Sequence, residues 1–318
     1  MPELGITPWR MELNARALSA QAAQAEAWGY RSFFLPESHF VATAAIPDPL
    51  LLLAAVAAQT ETITLGTTSW LLPIRQPLLA AEQAASLDHL CNGRLVLGLG
   101  RGYRRGMLEA FGVNSADKRD RFDAVLSAMR SAWAGEPVQE QTVQPGPLQT
   151  PHPPLWVAAF GPKAIGQAGR LGLPYFASPV ESLAELVSNY YRHAEALAEH
   201  GNGADIVRPI MRTVFVAEDP ARVANVRDKL AALPAPPFRK GPQPDPEDWC
   251  LLGSAAEVGE QLARYQEALN PTHLIAVRPR VPGIDSEWLS ESFEALAGMD
   301  ITETTRKLGE ARRQTLRQ

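Results

Sequence analysis

The fold is decided by residues 63–103, ITLGTTSWLLPIRQPLLAAEQAASLDHLCNGRLVLGLGRGY. This stretch begins with a run rich in β-branched residues, Ile63–Trp70, and closes on a second apolar run, Leu95–Gly98. Between them lies Leu78–Leu90, which is rich in alanine and apolar on more than one face, the pattern of a buried helix. A strand, a helix and a second strand in this order are typical of a parallel sheet.

The same alternation continues in both directions along the chain. It gives eight candidate strands: Leu4–Thr7, Ser32–Leu35, Ile63–Trp70, Leu95–Gly98, Leu155–Ala159, Tyr175–Ser178, Ile210–Val216 and His273–Val277. Helical patterns separate the strands, and no shift in composition marks a domain boundary. We therefore predict a (β/α)₈ TIM barrel formed by a single domain over residues 1–318.

One proline-rich insertion precedes the last predicted strand. Its sequence, Pro234–Pro246, is PAPPFRKGPQPDP, a composition that predicts a long loop. Long loops in compact domains are often either lids over an active site or mobile surface segments. The sequence supports both interpretations equally.

Composition excludes several classes of function. The net charge is −5 and no dense basic run precedes the extreme C-terminus, which argues against a nucleic-acid partner. The two cysteines, Cys91 and Cys250, rule out a disulfide framework, and the histidines show no spacing of metal ligands. The longest apolar stretch, Pro49–Ala58, is far shorter than the ~20 residues of a membrane span. We expect a cytoplasmic protein that binds no metal and no membrane.

Polar residues follow the predicted strands at the end where barrel enzymes place their active sites. In Gly98-Leu99-Gly100-Arg101-Gly102, alternating glycines would let a planar ligand approach the backbone. The guanidinium of Arg101 would suit a phosphate group. Glycines at a tight corner of the barrel, with Arg101 in a salt bridge, are an equally good interpretation.

A second candidate phosphate site is the turn Gly161-Pro162-Lys163-Ala164, where a strand passes into a helix. Backbone N–H groups at a helix start attract anions. Alone, this segment is an ordinary turn. Arg101, at the end of the preceding strand, supports the phosphate interpretation.

His39 is the candidate for acid/base chemistry. It lies in Pro36-Glu37-Ser38-His39-Phe40, after the second strand, with an acidic residue beside it in sequence. A histidine oriented by a carboxylate can transfer protons near neutral pH. A histidine that is only hydrogen-bonded within its loop is equally compatible with the sequence.

The central stretch resembles the bacterial luciferase-like monooxygenase family of flavin-dependent oxidoreductases. The resemblance extends to AEAWGY, FFLPESHF, PLWVAAFGPKAIGQAGRLGLP, LLGSAAEVGEQLARY and HLIAVRP, at 25–30, 33–40, 154–174, 251–265 and 273–279. It implies a barrel that binds FMN, or the deazaflavin coenzyme F-420, with Arg101 and the turn 161–164 on the phosphate. It also implies a cis peptide bond at Thr68–Ser69, beneath the flavin ring.

Three features depart from the family's pattern. The catalytic histidine of the luciferases falls at Ser38, and their reactive cysteine falls at Gly100. The turn 161–164 lacks the hydroxyl groups that it often carries in the family, since Gly161 and Ala164 have none. We therefore expect no light-emitting luciferase.

The candidate site residues and the family resemblance together predict an FMN-dependent monooxygenase. It would use reduced flavin and oxygen to oxygenate a small organic substrate. A separate flavin reductase, or bound NAD(P)H, would supply the electrons. His39 would be the acid/base, and Trp70, Tyr103 and Arg278 would shape the substrate side. A homodimer is expected through the alanine-rich segments 49–59 and 78–90.

Two alternatives stay open. A deazaflavin-dependent reductase or dehydrogenase would transfer hydride without oxygen, and the shared motifs do not separate it from the monooxygenase. A flavin-binding protein without catalysis is compatible with the departures at Ser38 and Gly100.

Overall fold

The computed structural model of the protein describes residues 2–41, 45–203, 206–239 and 241–299. The strands are β1 Glu3–Ile6, β2 Ser32–Leu35, β3 Thr64–Thr67, β4 Trp70–Leu71, β5 Leu95–Gly100, β6 Leu155–Ala159, β7 Tyr175–Ala177, β8 Pro209–Val216, β9 Cys250–Gly253 and β10 His273–Val277. The helices are α1 Ala15–Trp28, α2 Pro49–Ala57, α3 Pro77–Leu90, α4 Arg105–Ala110, α5 Lys118–Trp133, α6 Pro162–Arg170, α7 Leu183–Glu199, α8 Pro220–Ala231, α9 Pro246–Trp249, α10 Ala255–Leu269 and α11 Ser286–Ala297.

The chain adopts the predicted (β/α)₈ TIM barrel. The strand order is β10-β1-β2-β3-β5-β6-β7-β8-β9, and β10 also pairs with β8, which closes the barrel. The two short strands β4 and β9 are additions, paired with the ends of β5 and β8. No helix in the described ranges is both long enough and apolar enough to cross a membrane.

The eight predicted strands are confirmed, with two differences. The predicted strand Ile63–Trp70 is divided into β3 and β4 at Thr68 and Ser69. Strand β9 was not predicted, because its four residues after a proline-rich stretch are too few to show a period. Helix α4 was not predicted either, because its six residues mix polar and apolar side chains without a helical period.

Contacts between residues group the chain into two dense units. The N-terminal unit comprises residues 10–27 and 31–158, and the C-terminal unit comprises residues 1–9, 28–30 and 159–318. The prediction of a single domain over residues 1–318 stays a prediction. The two units are described separately below.

In the N-terminal unit, β2, β3 and β5 pair in parallel, so their carboxyl ends share one edge. Phe33 and Phe34 of β2 are fully buried. A Cβ at Gly66 of β3 would lie 2.2 Å from the ring of Phe34. Glycine at this position therefore makes room for the aromatic core of the sheet.

Charged residues hold the opposite ends of these strands. Arg94 donates hydrogen bonds to the carbonyl oxygens of Cys91 at 2.9 Å and Ile63 at 2.7 Å, which joins the end of α3 to the start of β3. The carboxylate of Glu26 accepts a hydrogen bond from the Ile63 N–H at 2.7 Å. Burial opposes the ionisation of Glu26, but hydrogen bonds, led by those from Thr62, outweigh it and lower its pKa. Arg94 and Glu26 thus have a structural role in the N-terminal unit.

In the C-terminal unit, a buried network joins the segment after β7 to β8. Glu181 and Arg212 are both fully buried. The Glu181 carboxylate accepts hydrogen bonds from the Tyr175 hydroxyl and from the Ser178 N–H, the latter at 2.7 Å. Arg212 donates to the backbone carbonyl of Glu181 and lies 5.3 Å from the ring of Tyr265. Buried charges persist when hydrogen bonds compensate for lost hydration, so this network fixes the loop after β7.

The proline-rich insertion follows α8, and its described residues form a loop, as predicted, except for Pro246, which begins α9. Arg239 holds it in place through two hydrogen bonds to the Glu185 carboxylate, at 2.7 and 2.8 Å. Phe238 packs edge-to-face against Phe160, with ring centroids 5.0 Å apart. The insertion is therefore anchored on the start of α7 and the end of β6, whereas its action as a lid stays a prediction.

Candidate functional site

The candidate site is built on the loops that follow β2, β4 and β5 in the N-terminal unit. These loops lie at the carboxyl ends of neighbouring parallel strands, where barrel enzymes bind their substrates. The loop after β2 carries His39 and the loop after β5 carries Arg101, whereas Ser69 directly precedes β4.

The first two loops are joined by the carboxylate of Glu37, whose side chain is fully buried. Its Oε1 atom accepts a hydrogen bond from the His39 Nε2 at 2.6 Å and another from the Arg75 guanidinium. Its Oε2 atom accepts from the Leu71 N–H at 2.8 Å. A single carboxylate thus fixes the imidazole against the segment that contains β4.

His39 is itself 8% exposed and is covered by two aromatic rings. Its ring centroid lies 4.9 Å from that of Phe111 and 5.9 Å from that of Phe40. Phe40 is 65% exposed and has a φ of +54°, a left-handed conformation that is rare for an aromatic residue. Arg104, after β5, donates a hydrogen bond to the His39 carbonyl oxygen at 2.8 Å. The loops after β2 and β5 therefore meet at His39, and Glu37 joins them to the segment that contains β4.

The segment between β3 and β4 has the backbone that the resemblance implies. The Thr68–Ser69 peptide bond is cis. The Thr68 Oγ1 and the Trp70 Nε1 atoms are buried and have no hydrogen-bond partner among the described residues. Buried polar atoms are rarely left unpaired in proteins. These two atoms are therefore candidates to bond a group held in the site.

The glycines of β5 require a correction to the sequence interpretation. A Cβ at Gly100 would lie 2.0 Å from the Ser69 Oγ and 3.0 Å from a methyl carbon of Leu71. The Ser69 hydroxyl, and not an approaching ligand, thus excludes a side chain at position 100. Gly102 has a φ of +70°, so it forms a turn after the strand. At Gly100 and Gly102, the structure supports the interpretation that the glycines form a tight corner of the barrel.

Arg101 follows Gly100 directly and is buried. Its guanidinium donates a hydrogen bond to the Ala158 carbonyl oxygen at 2.8 Å and lies 5.8 Å from the ring of Phe122. Burial, together with repulsion from Arg119, lowers the pKa of Arg101 to about 10, and attraction to Asp123 opposes both effects.

Two more cations accompany Arg101 at the start of α5. Burial lowers the pKa of Lys118, and so does repulsion from Arg101 and Arg119. The Lys118 ammonium donates a hydrogen bond to the Gly102 carbonyl oxygen at 3.1 Å. We call Arg101, Lys118 and Arg119 the cation cluster. A cluster of cations beside the positive end of a 16-residue helix is the chemistry of an anion site.

The remaining predicted site residues are Tyr103, the turn 161–164 and Arg278. Tyr103 is 54% exposed in the loop before α4. In the C-terminal unit, Gly161 has a φ of +81°, Pro162 begins α6 and Lys163 is exposed, while the Ala164 N–H donates to the Gly161 carbonyl oxygen at 3.1 Å.

Arg278, also in the C-terminal unit, donates to the Pro279 carbonyl oxygen at 3.2 Å, and burial lowers its pKa. The assignment of Gly161–Ala164 to a phosphate and of Arg278 to a substrate stays a prediction. Within the described ranges, no three His, Cys, Asp or Glu side chains are grouped as metal ligands.

The sequence indicates that the acidic residue in the loop of His39 could orient the ring, and Glu37, two positions away, is bonded to it. The other partners in the site were not predicted. Arg75 is 38 residues from Glu37, and no local pattern indicates their contact. The same holds for Arg104 and Lys118, which become part of the site only through the fold.

The family model for luciferase-like monooxygenases matches residues 4–271. The chain belongs to the luciferase-like monooxygenase family. Among its relatives is the oxygenase component of flavin-dependent trigonelline monooxygenase from Acinetobacter baylyi, 29% identical over 63% of this chain and 59% of that protein. Limonene 1,2-monooxygenase from Rhodococcus erythropolis is 28% identical over 64% of this chain and 56% of that enzyme. The match thus spans less than two thirds of each of these two relatives.

Solved structures of the same fold bind different cofactors. The oxygenating constituent of 3,6-diketocamphane monooxygenase from Pseudomonas putida, in complex with FMN, has a TM-score of 0.75 and 20% identity, covering 94% of this chain and 97% of that one. An F-420-dependent secondary alcohol dehydrogenase has a TM-score of 0.77 and 17% identity, covering 94% and 99%. These similarities show the fold of this family member. They do not determine which cofactor it binds.

The close approach of Ser69 to Gly100 predicts how a methyl group at position 100 would change the stability of the protein. Gly100→Ala should lower the free energy of unfolding by about 1–3 kcal/mol, because the new Cβ overlaps the Ser69 Oγ. Adding Ser69→Ala should restore part of the loss, since the overlapping oxygen is removed. Urea unfolding measures both effects.

Gly106→Ala is the matched control, because a Cβ at Gly106 in α4 would meet nothing within 4 Å. It should leave stability unchanged or slightly raised. Wild-type stability in Gly100→Ala would show that the Ser69 hydroxyl does not occupy this space.

Proposed function

We propose that this protein is an FMN-dependent monooxygenase that binds reduced flavin at the loops after β2, β4 and β5. The observation that carries the proposal is the cation cluster at the end of β5. Burial, and then repulsion from Arg119, lower the pKa values of Arg101 and Lys118, and a bound phosphate, such as that of a flavin, would relieve this repulsion.

The other residues of the site fit a flavin ring. Thr68 and Trp70 offer buried polar atoms that have no partner among the described residues, and Ser69 lies next to them on the same segment. FMN, when bound in its reduced form, supplies the electrons with which oxygen is activated. The protein's own part is to hold the ring, to exclude water and to orient the substrate, with Trp70 and Tyr103 on the substrate side.

His39 is proposed to move a proton to or from the substrate. Its ring is held by Glu37 at 2.6 Å and shielded by Phe111, so its orientation is fixed before a substrate arrives. Acid/base groups held in this way commonly contribute a factor of roughly 10²–10⁴ to rate.

The relatives support an oxygenase that works with a partner. One of them is named the oxygenase component of a flavin-dependent monooxygenase. We therefore propose that a separate flavin reductase supplies the reduced cofactor, with NAD(P)H as the source of electrons.

The F-420-dependent neighbour favours a second candidate, a hydride-transfer reductase or dehydrogenase that uses the deazaflavin. It needs the same phosphate site, so the cation cluster serves both candidates. A third candidate is a flavin-binding protein without catalysis, and the variant His39→Ala distinguishes it from the two enzymes. In a protein without catalysis, this variant would leave all measured properties unchanged.

Removing Arg101 tests the phosphate site. Arg101→Ala should weaken the binding of reduced FMN by roughly ten- to hundredfold, because a charge-assisted hydrogen bond contributes about 1.5–3 kcal/mol. Ultrafiltration of protein with reduced FMN under anaerobic conditions measures the dissociation constant.

Arg105→Ala is the control, because Arg105 is exposed and paired with Glu109 on the surface of α4. It should bind FMN like the wild type. Equal affinity in Arg101→Ala and the wild type would remove Arg101 from the phosphate site.

We also propose a homodimer formed through α2 and α3. These helices contact each other and expose Leu51 and Leu79, which are 71% and 52% exposed. Exposed leucines on neighbouring alanine-rich helices suit the close packing of two subunits.

Analytical ultracentrifugation at micromolar concentration should show a dimer for the wild type. The double variant Leu51→Asp, Leu79→Asp should be monomeric, because its charges would be buried in the interface. Leu13→Asp, at a site 64% exposed before α1, is the control and should stay dimeric. A monomeric wild type would contradict the proposal.

A further inference from the structure

The Glu37 carboxylate is surrounded by hydrogen-bond donors only. The Leu71 N–H and the Arg75 guanidinium can donate but cannot accept. A carboxylate is an acceptor at both oxygens, so it satisfies both donors and has room for a third. The third is the His39 Nε2, at 2.6 Å.

This arrangement determines where the His39 proton lies. Nε2 must carry the proton in order to donate to a carboxylate that already accepts from Arg75. In the neutral imidazole, Nδ1 then holds the lone pair. Within the described residues, Nδ1 makes no hydrogen bond, so it is the nitrogen left for chemistry.

We infer that Glu37 and Arg75 are positioning residues that lock His39 in its Nε2–H tautomer and leave Nδ1 as its only basic nitrogen. The inference rests on the proposed function in one respect, the assignment of His39 as the acid/base. It adds which atom of His39 exchanges the proton and which two residues determine that choice.

Arg75 acts by holding the carboxylate. Its guanidinium is bonded to the same Oε1 atom that accepts from the His39 Nε2, and the Glu37 side chain is fully buried. Without Arg75, the carboxylate would lose its cationic partner and the contact that orients it. The His39 Nε2–H would then have no fixed acceptor, and both neutral tautomers would be populated.

The surroundings hold both Arg75 and His39. The Arg75 guanidinium lies 5.3 Å from the ring of Trp70, which fixes its position. Arg104 donates a hydrogen bond to the His39 carbonyl oxygen and so fixes the backbone of the histidine.

The test is the ¹⁵N NMR spectrum of the histidine rings in the full-length protein without flavin, at a pH well above ~6.5, where an ordinary histidine is neutral. His39→Gln identifies the His39 signals. His193 is an internal reference, because its Nε2 donates to the Leu173 carbonyl oxygen at 2.9 Å and must carry the proton.

The wild type should show a protonated Nε2 and an unprotonated Nδ1 in His39, as in His193. Arg75→Met should give a mixture of the two neutral tautomers of His39, whereas the conservative Arg75→Lys should retain the Nε2–H form. Glu37→Gln should give a mixture of tautomers, because one amide cannot accept from three donors.

Glu185→Gln is the matched control, since Glu185 is also bonded to an arginine but lies in the C-terminal unit. It should leave the His39 signals unchanged. A wild-type His39 protonated at Nδ1 would overturn the inference, and so would an unchanged Nε2–H tautomer in a folded Arg75→Met protein. Because no flavin is present, a failure of FMN binding cannot be mistaken for either result.

Discussion

Burial of Arg101 among other cations is the constraint that gives the candidate site its chemistry. Arg101 lies at the end of β5, and repulsion from Arg119 adds to the effect of burial on its pKa. Lys118 is subject to the same repulsion at the start of α5. Repulsion between like charges is relieved when an anion binds. The proposed phosphate site depends on this property.

On the loop after β2, Glu37 is paired with Arg75, and the carboxylate also holds His39 and the backbone of β4. The cation cluster suits the binding of an anion, whereas the pair of Glu37 and Arg75 suits the orientation of His39. Both depend on loops whose strands are held at their opposite ends by Glu26 and Arg94.

The barrel could be predicted from the sequence because its strands and helices carry local periodicity. Strand β9 was missed because its four residues are too few to show a period. The structure also changed the interpretation of Gly100, whose missing side chain makes room for the Ser69 hydroxyl. His39 and Arg101 were found because each stands in a recognisable segment. Arg75 was not found, because only the fold brings it to Glu37 across 38 residues.

The central claim is that this member of the luciferase-like monooxygenase family binds reduced FMN. The most direct measurement is a parallel titration of the purified protein with FMN and with the deazaflavin coenzyme F-420, each oxidised and reduced. Fluorescence and ultrafiltration would give the bound fraction. The account predicts that reduced FMN binds most tightly. Tighter binding of the deazaflavin, or binding of neither cofactor, would contradict it.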